Sequence, residues 1–300
     1  MLELRPLVAG EEDLFLSLSE PALVGVQSFG RDYREFVALR QYRPEWTWVA
    51  LRDGTVVARA AWWAGPDDDA PLALDWLDFG AGEEDTAVAL IEKAGFGAEY
   101  CLLLPPGWRD DPVVRAAGEV RIDVARRAGM TPFVERLRYR WTPENVVPER
   151  PGRLEFRPEA DDDAIFDVLR RIAHGSLDAH EQRAQEKGGA DAAAREELEF
   201  LQWMPSPRDW WRLAFTQDGE LVGLTVPGRN YSSPVIGIVG VVPEQRGNAY
   251  AYDLLVEATH MLVEHGVDEI VADTDTTNTP MAATFKRAGY PITQERVYLK

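Results

Sequence analysis

The stretch Val239-Gly240-Val241-Val242-Pro243-Glu244-Gln245-Arg246-Gly247-Asn248-Ala249-Tyr250-Ala251 holds residue types suited to binding a phosphate. An apolar run ends at a proline, which cannot continue a strand ladder on that side. A turn of small residues follows and feeds directly into a long helical pattern. Such a turn presents consecutive backbone N–H groups at the positive end of a helix dipole, where a pyrophosphate is stabilised. Small side chains let phosphates approach the backbone, and Arg246 adds a cation in an otherwise acidic chain. Read alone, the segment also fits an ordinary small strand-to-helix turn. Further on, Asp273 and Asp275 stand two apart in EIVADTD, which puts both carboxylates on one face of a strand. A carboxylate there can serve as a general base, directly or through water. The competing reading is that the two aspartates close the strand or orient Asn278.

The elements needed to hold these residues are written twice along the chain. The first copy opens with the alternating strand LELRPLV (2–8), then helical material toward Arg40. Strands TWVAL (47–51) and TVVARAAWW (55–63) follow, joined by the turn Asp53-Gly54, and then LALDWLDF (72–79). A helix over about 84–95, the strand EYCLLL (99–104), a helix ending in ARRAGM and the strand FVERLRYRW (133–141) complete it. After the Pro-rich connector WTPENVVPERPG (141–152) the order repeats. LEFRP, a helix from Asp161 and a polar helix over about 180–202 lead to a hairpin around Asp218-Gly219. The buried strand VIGIVGVV (235–242), a helix over about 249–265, the strand 269–275, the helix 280–290 and ITQERVYLK close the second copy. The endings ARRAGMTPFVERLRYRW and FKRAGYPITQERVYLK align through their Arg-Ala-Gly and Glu-Arg pairs, the strongest sign of an internal repeat.

The segment 239–251, with the strand 269–275, Asn278 and the helix ending Ala288-Gly289-Tyr290, resembles the GNAT family of N-acetyltransferases. The family motif Arg/Gln-x-x-Gly-x-Gly/Ala falls on Arg246, Ala249 and Ala251. The resemblance covers the C-terminal half, and the repeat carries the fold, but not the motif, to the first. It implies an α/β (α+β) protein of two tandem GNAT-like domains, each a mixed, mostly antiparallel sheet flanked by helices. Residues 1–145 would be a degenerate domain without a cofactor site, and 151–300 the acetyltransferase domain. In the second, the sheet would splay between its fourth and fifth strands and hold acetyl-coenzyme A. The pyrophosphate would lie on Arg246, Gly247, Asn248, Ala249, Tyr250 and Ala251. The backbone of Val239, Gly240 and Val241 would pair with the pantetheine arm. Asn278 and Phe285 would complete the cofactor contacts. Asp273, five residues before Asn278, matches a family position that can hold a glutamate base, and Asp275 is the second candidate.

Three departures from the family pattern bear on activity. Ala249 stands where the family has glycine. At positive φ it would cost about 1 kcal/mol, whereas a first-turn helical position would tolerate it, and the latter is expected. Phe285 stands where the family places an acidic tyrosine, so release of the thiolate would fall to solvent or another group; Tyr250 and Tyr252 are alternatives by type. The strand 235–242 lacks the carboxylate common in relatives. In the first copy the corresponding turn Gly80-Ala81-Gly82-Glu83-Glu84-Asp85 has no arginine and places three carboxylates where phosphates would sit.

The formal net charge of −19 argues against nucleic acid and anionic membranes as partners. It favours a cationic amine as acceptor, although an acidic surface also serves solubility. A lone cysteine, Cys101, excludes a disulfide within the chain and suits a cytoplasmic setting; no stretch reads as a signal peptide or membrane span. No metal site is expected: His174, Asp178, His180 and Glu181 fit no ligand spacing and read as a polar acceptor-side helix or a solvated face. Trp203, Trp210 and Trp211 are expected as core or wall residues. The sequence therefore points to an N-acetyltransferase, a monomer or homodimer, moving acetyl from acetyl-coenzyme A to a small cationic amine. A non-catalytic coenzyme A-binding or interaction module is the alternative.

Overall fold

The computed structural model describes residues 1–19 and 21–300. The chain divides into two compact units, one of Met1–Glu135 with Gln294–Lys300 and one of Arg136–Thr293. In chain order the first half contributes β1 (Leu2–Pro6), α1 (Glu12–Leu16), α2 (Tyr33–Ala38), β2 (Thr47–Arg52), β3 (Thr55–Trp63), β4 (Ala73–Phe79), α3 (Glu84–Ala94), β5 (Glu99–Leu104), α4 (Pro112–Arg127) and β6 (Pro132–Trp141). The second half contributes β7 (Leu154–Pro158), α5 (Asp162–Ala173), α6 (Ala179–Trp203), β8 (Arg212–Thr216), β9 (Leu221–Arg229), β10 (Pro234–Val241), α7 (Tyr250–Glu264), β11 (Ile270–Asp275), α8 (Thr279–Arg287) and β12 (Ile292–Leu299).

Local chemistry explains several of these elements. Asp53 and Gly54 both have positive φ, 49° and 85°, the combination that a two-residue hairpin turn requires between β2 and β3. Asp161 caps α5 by accepting from the Asp163 amide, and Arg170 and Arg171 lie in its last turn, so both ends match the helix dipole. Asp178 caps α6 through the His180 and Glu181 amides. That helix is not continuous: Gly188 and Gly189 leave helical geometry, Gly189 with φ 76° and ψ −174°, and divide it in two.

In the first unit the strands run β1-β2-β3-β4-β5-β12, all neighbours antiparallel except β4 and β5. In the second unit they run β7-β8-β9-β10-β11-β6, with the parallel pair β10–β11. Both are the expected mixed, mostly antiparallel sheets with flanking helices. The closing strands, however, do not stay with their own copies. From Arg136 onward, β6 pairs along all of β11, while Glu295–Leu299 of β12 pair with β5. A boundary in the connector 141–152 therefore does not coincide with where the compact units part. Because the two endings are so alike, either strand can occupy either place by pattern alone. Charge complementarity fits the observed choice. Arg136, Arg138 and Arg140 of β6 meet Asp275, Asp273 and Glu269 beside β11, and Glu295 of β12 accepts from the Gly107 amide and faces Arg109.

The second unit buries apolar residues on both faces of its sheet. On one face Ile165, Val168, Leu169 and Ile172 of α5 pack with Leu201, Leu224 and Val226. On the other, Leu255, Ala258 and Leu262 of α7 pack with Tyr139, Ile270 and Phe285. Each such side chain contributes about 1.5–3 kcal/mol on burial. Two helix layers thereby hold β10 and β11 from both faces.

Candidate active site

The parallel strands β10 and β11 pair at Val235 and Val271 and separate toward their C-terminal ends. A cavity of about 560 Å³ occupies the opening. It is lined by Val239, Gly240, Val241, Arg246, Gly247, Ala249, Tyr250, Ala251 and Asn278, so the structure brings most of the expected cofactor residues together. Asn248 is turned aside, its side chain donating to the Gln245 carbonyl. Phe285 lies elsewhere, as described below. The first turn of α7 receives no side-chain cap. Its N–H groups thus remain without the carboxylate or amide partners that close α5, α6 and α8, as an anion site requires.

Ala249 corrects the sequence expectation. It is not a first-turn helical residue: with φ 58° and ψ 25° it caps α7 in the left-handed region. Gly247 is also left-handed, φ 86°. The chain reverses its curvature twice within three residues, which turns successive N–H groups toward one side. Holding an alanine there costs about 1 kcal/mol relative to glycine. Ala249→Gly should therefore raise stability or leave it level, although glycine also gains unfolded-state entropy. It should tighten acetyl-coenzyme A if the loop is strained; thermal melts with calorimetry decide, and a clear loss in both would contradict the left-handed assignment.

Arg246, in the wall of this cavity, is held by backbone carbonyls. Its Nη1 donates to the carbonyls of His174 (2.6 Å) and Gly175 (3.2 Å), Nη2 to Ile172 (2.7 Å) and Nε to Val241 (3.1 Å). The guanidinium thus closes the C-terminal end of α5 onto the end of β10. Arg153, which the sequence reading did not single out, braces the outer side of the loop. It pairs with Asp253, donates to the Asn248 carbonyl and lies over the Tyr250 ring. It follows directly on the connector 141–152.

A second cavity of about 520 Å³ abuts the first, sharing Ile172, Ser176, Val239, Asn278 and Met281 in its walls. Asp178, Glu181, Glu196, Glu197 and Asp273 face it, against Arg136, Arg138 and His180. Asp273 pairs with Arg138 at 2.9 Å. Asp275 does not line this cavity. Buried at 1% exposure, it accepts from Arg136 Nε (2.8 Å) and from the Ala179 amide (2.7 Å), so it positions an arginine and the start of α6. Asn278 caps α8 through the Met281 amide. Phe285 lines the second cavity and stacks on Tyr139, centroids 4.3 Å apart. Trp203 packs edge-on against Tyr231, while Trp210 lies by His265 and Trp211 is buried under Arg208.

Two carboxyls on this cavity have altered basicity: Glu181, read from the sequence as part of a polar helix, and Glu197, which the sequence reading did not single out. Burial, then the charges of Glu181 and Asp178, push Glu197 up to about 8. Burial also raises Glu181. The Gly188-Gly189 pair was the available signal, because a glycine pair breaks a helix and redirects its second half. No cluster of three or more His, Cys, Asp or Glu among the described residues is placed to hold a metal. In the first unit, the carboxylate of Glu83 in the acidic turn accepts from Arg52 Nε (3.0 Å) and Thr86 (2.6 Å), so it sits at the head of α3 itself.

A splayed β10–β11 pair, a small-residue turn feeding α7 and an abutting polar cavity make up the candidate site. Residues 176–290 match the acetyltransferase (GNAT) family. The fold of the chain is similar to that of a GCN5-related N-acetyltransferase from Sphaerobacter thermophilus (TM-score 0.60, 15% identity, 99% of this chain and 94% of that one). It is also similar to a tandem GNAT protein from the clavulanic acid biosynthesis pathway (TM-score 0.55, 17% identity, 100% and 98%). Among curated proteins, the mycothiol acetyltransferase of Pseudarthrobacter chlorophenolicus is 29% identical over 184 residues, 57% of this chain and 54% of the relative. The match thus spans about half the length of that relative.

Proposed function

We propose that this protein transfers acetyl from acetyl-coenzyme A to a small cationic amine, with acetyl-coenzyme A bound in the second unit alone. The observation that carries this reading is the juxtaposition of two cavities. One is lined by the motif turn and the end of β10 that β11 leaves open, and the other by five carboxylates against two arginines and a histidine. An ammonium is the acceptor such a wall favours. In this reading the pyrophosphate lies on the N–H groups of residues 247–251, and the pantetheine arm runs along Val239, Gly240 and Val241. An N–H of β10 near Val241 polarises the thioester carbonyl. Thiolate release proceeds without a tyrosine at 285, because Phe285 is stacked in the wall. The acidic turn at 80–85 leaves the first unit without a phosphate site. The catalyst is a monomer or homodimer of the cytoplasm, where the buried free thiol of Cys101 stays reduced.

Calorimetry should give one acetyl-coenzyme A per chain, and thiol release should follow with cationic amines in preference to acidic amino acids. An amine-bearing acceptor related to mycothiol belongs in that panel, given the names of the curated relatives. Two sites per chain, or turnover only with anionic acceptors, would overturn the reading. Phe285 in place of tyrosine favours one rival, a coenzyme A-binding module without catalysis; binding without thiol release across the panel would establish it.

A further inference from the structure

We infer that Glu197 is the group that takes the proton from the acceptor ammonium. This rests on the acetyl-transfer reading above and adds a residue to it. Five carboxylates face the acceptor cavity, but they are not equally available. Asp178 is paired with Arg136 and Asp273 with Arg138. A carboxylate held by a guanidinium is a poor base, because the ion pair favours its charged form. Glu181, Glu196 and Glu197 have no ion-pair partner among the described residues. The cavity residues of β10, Val235 to Val239, carry no titratable group at all.

Within that remainder Glu196 is exposed and Glu181 is hydrogen-bonded by Ser176, whereas Glu197 is partly buried on the cavity wall without a hydrogen-bond partner of that kind among the described residues. Glu181 and Glu197 would stand about 24 Å apart on an unbroken helix, given a rise of 1.5 Å per residue. The break at Gly188 and Gly189 instead places both on the same cavity, within reach of each other's charge. Glu197 is the carboxyl whose surroundings most favour the protonated form, through burial first and then Glu181 and Asp178. A base that titrates near 8 is matched to work close to neutral pH, where it can both accept a proton and lose it again. The groups that bear on it are Glu181, Asp178, Glu196 and His180 around α6, Arg136 and Arg138 of β6, and Asp273 of β11.

The step balances simply. The ionised Glu197 takes one proton from the ammonium, leaving a neutral amine with a lone pair. That lone pair attacks the thioester carbonyl carbon; the C–N bond forms and the C–S bond breaks. The second nitrogen proton ends on the departing coenzyme A sulfur, and Glu197 returns its own to solvent.

The test is Glu197→Gln, assayed for thiol release across pH 6 to 10 alongside acetyl-coenzyme A affinity and melting temperature. The wild-type rate should climb with pH through about 8, since the ionised form is the active one. In the variant, kcat should fall by roughly 10² or more and that limb should disappear, while acetyl-coenzyme A affinity stays within twofold. The melting temperature at pH 8 should not fall. A carboxyl whose folded pKa is raised costs the folded state stability as pH rises through it, and glutamine removes that cost. Near wild-type turnover, or the same limb in the variant, would overturn the assignment. A wild type that binds acetyl-coenzyme A and releases no thiol with any amine would instead fell the transfer reading, and this residue's role with it.

Discussion

Gly223→Ala is expected to lower stability by about 3 kcal/mol and to abolish measurable acetyl-coenzyme A binding. A Cβ built at this position lies 2.0 Å from the Gly240 carbonyl oxygen and 3.1 Å from the Val241 Cα. Both contacts are backbone, so no side-chain rotation relieves them. The register pairs Gly223 with Val241 and Leu224 with Gly240, which places the clash beneath the strand that lines the cofactor cavity. Movement of β10 is resisted from its other face, where Ile172 already presses on Gly240, an added Cβ there meeting its Cδ1 at 2.5 Å. For a unit of this size the melting temperature should drop by on the order of 10 °C. An alanine variant that melts like the wild type and binds acetyl-coenzyme A normally would show that β9 and β10 part without cost.

Arg246→Lys should behave nearly like Arg246→Ala, weakening acetyl-coenzyme A binding at least tenfold and lowering the melting temperature. If the arginine served the phosphates as a charge, lysine would preserve most of the affinity. Its fork instead reaches four backbone carbonyls, at Ile172, His174, Gly175 and Val241, in one arrangement. An ammonium has three donors on a single nitrogen and cannot reproduce that spread. Hydrogen bonds to a charged donor contribute roughly 1.5–3 kcal/mol when enclosed and less in solvent, so a loss of several together should be plain in both variants. Retained affinity in the lysine variant, with a normal melt, would restore the simpler electrostatic role.

These two sites mark where sequence reasoning succeeds and where it stops. The strand, the turn and the long helix around 239–251 were legible because each rests on local signals: an apolar run, a proline and small residues feeding a periodic helix. The positive φ of Ala249 was not, because a dihedral angle in a loop is set by how the loop is braced. Here Arg153 and Arg246 do the bracing, from parts of the chain far apart in sequence. The use of Arg246 was hidden for the same reason, since three of its four acceptors lie more than seventy residues upstream. Glu197 was read as one polar position on a continuous helix. Only the break at Gly188-Gly189 shows that it shares a cavity with Glu181. The aspartates of EIVADTD were rightly placed on one strand face, yet their partners, Arg136 and Arg138, belong to the first copy's closing strand. The repeat that made the fold visible concealed that exchange, because the two closing strands are so alike.

The exchange of β6 and β12 also sets the order in which the molecule can be completed during synthesis. The first unit has most of its chain once residue 135 is made, but its last strand is drawn from residues 294–300. Until those residues appear, β5 keeps an open edge of hydrogen-bonding groups, and β6 must wait for β11 to be made before it finds its partner. A chain cut at the connector would part each closing strand from its partner, β6 from β11 and β12 from β5.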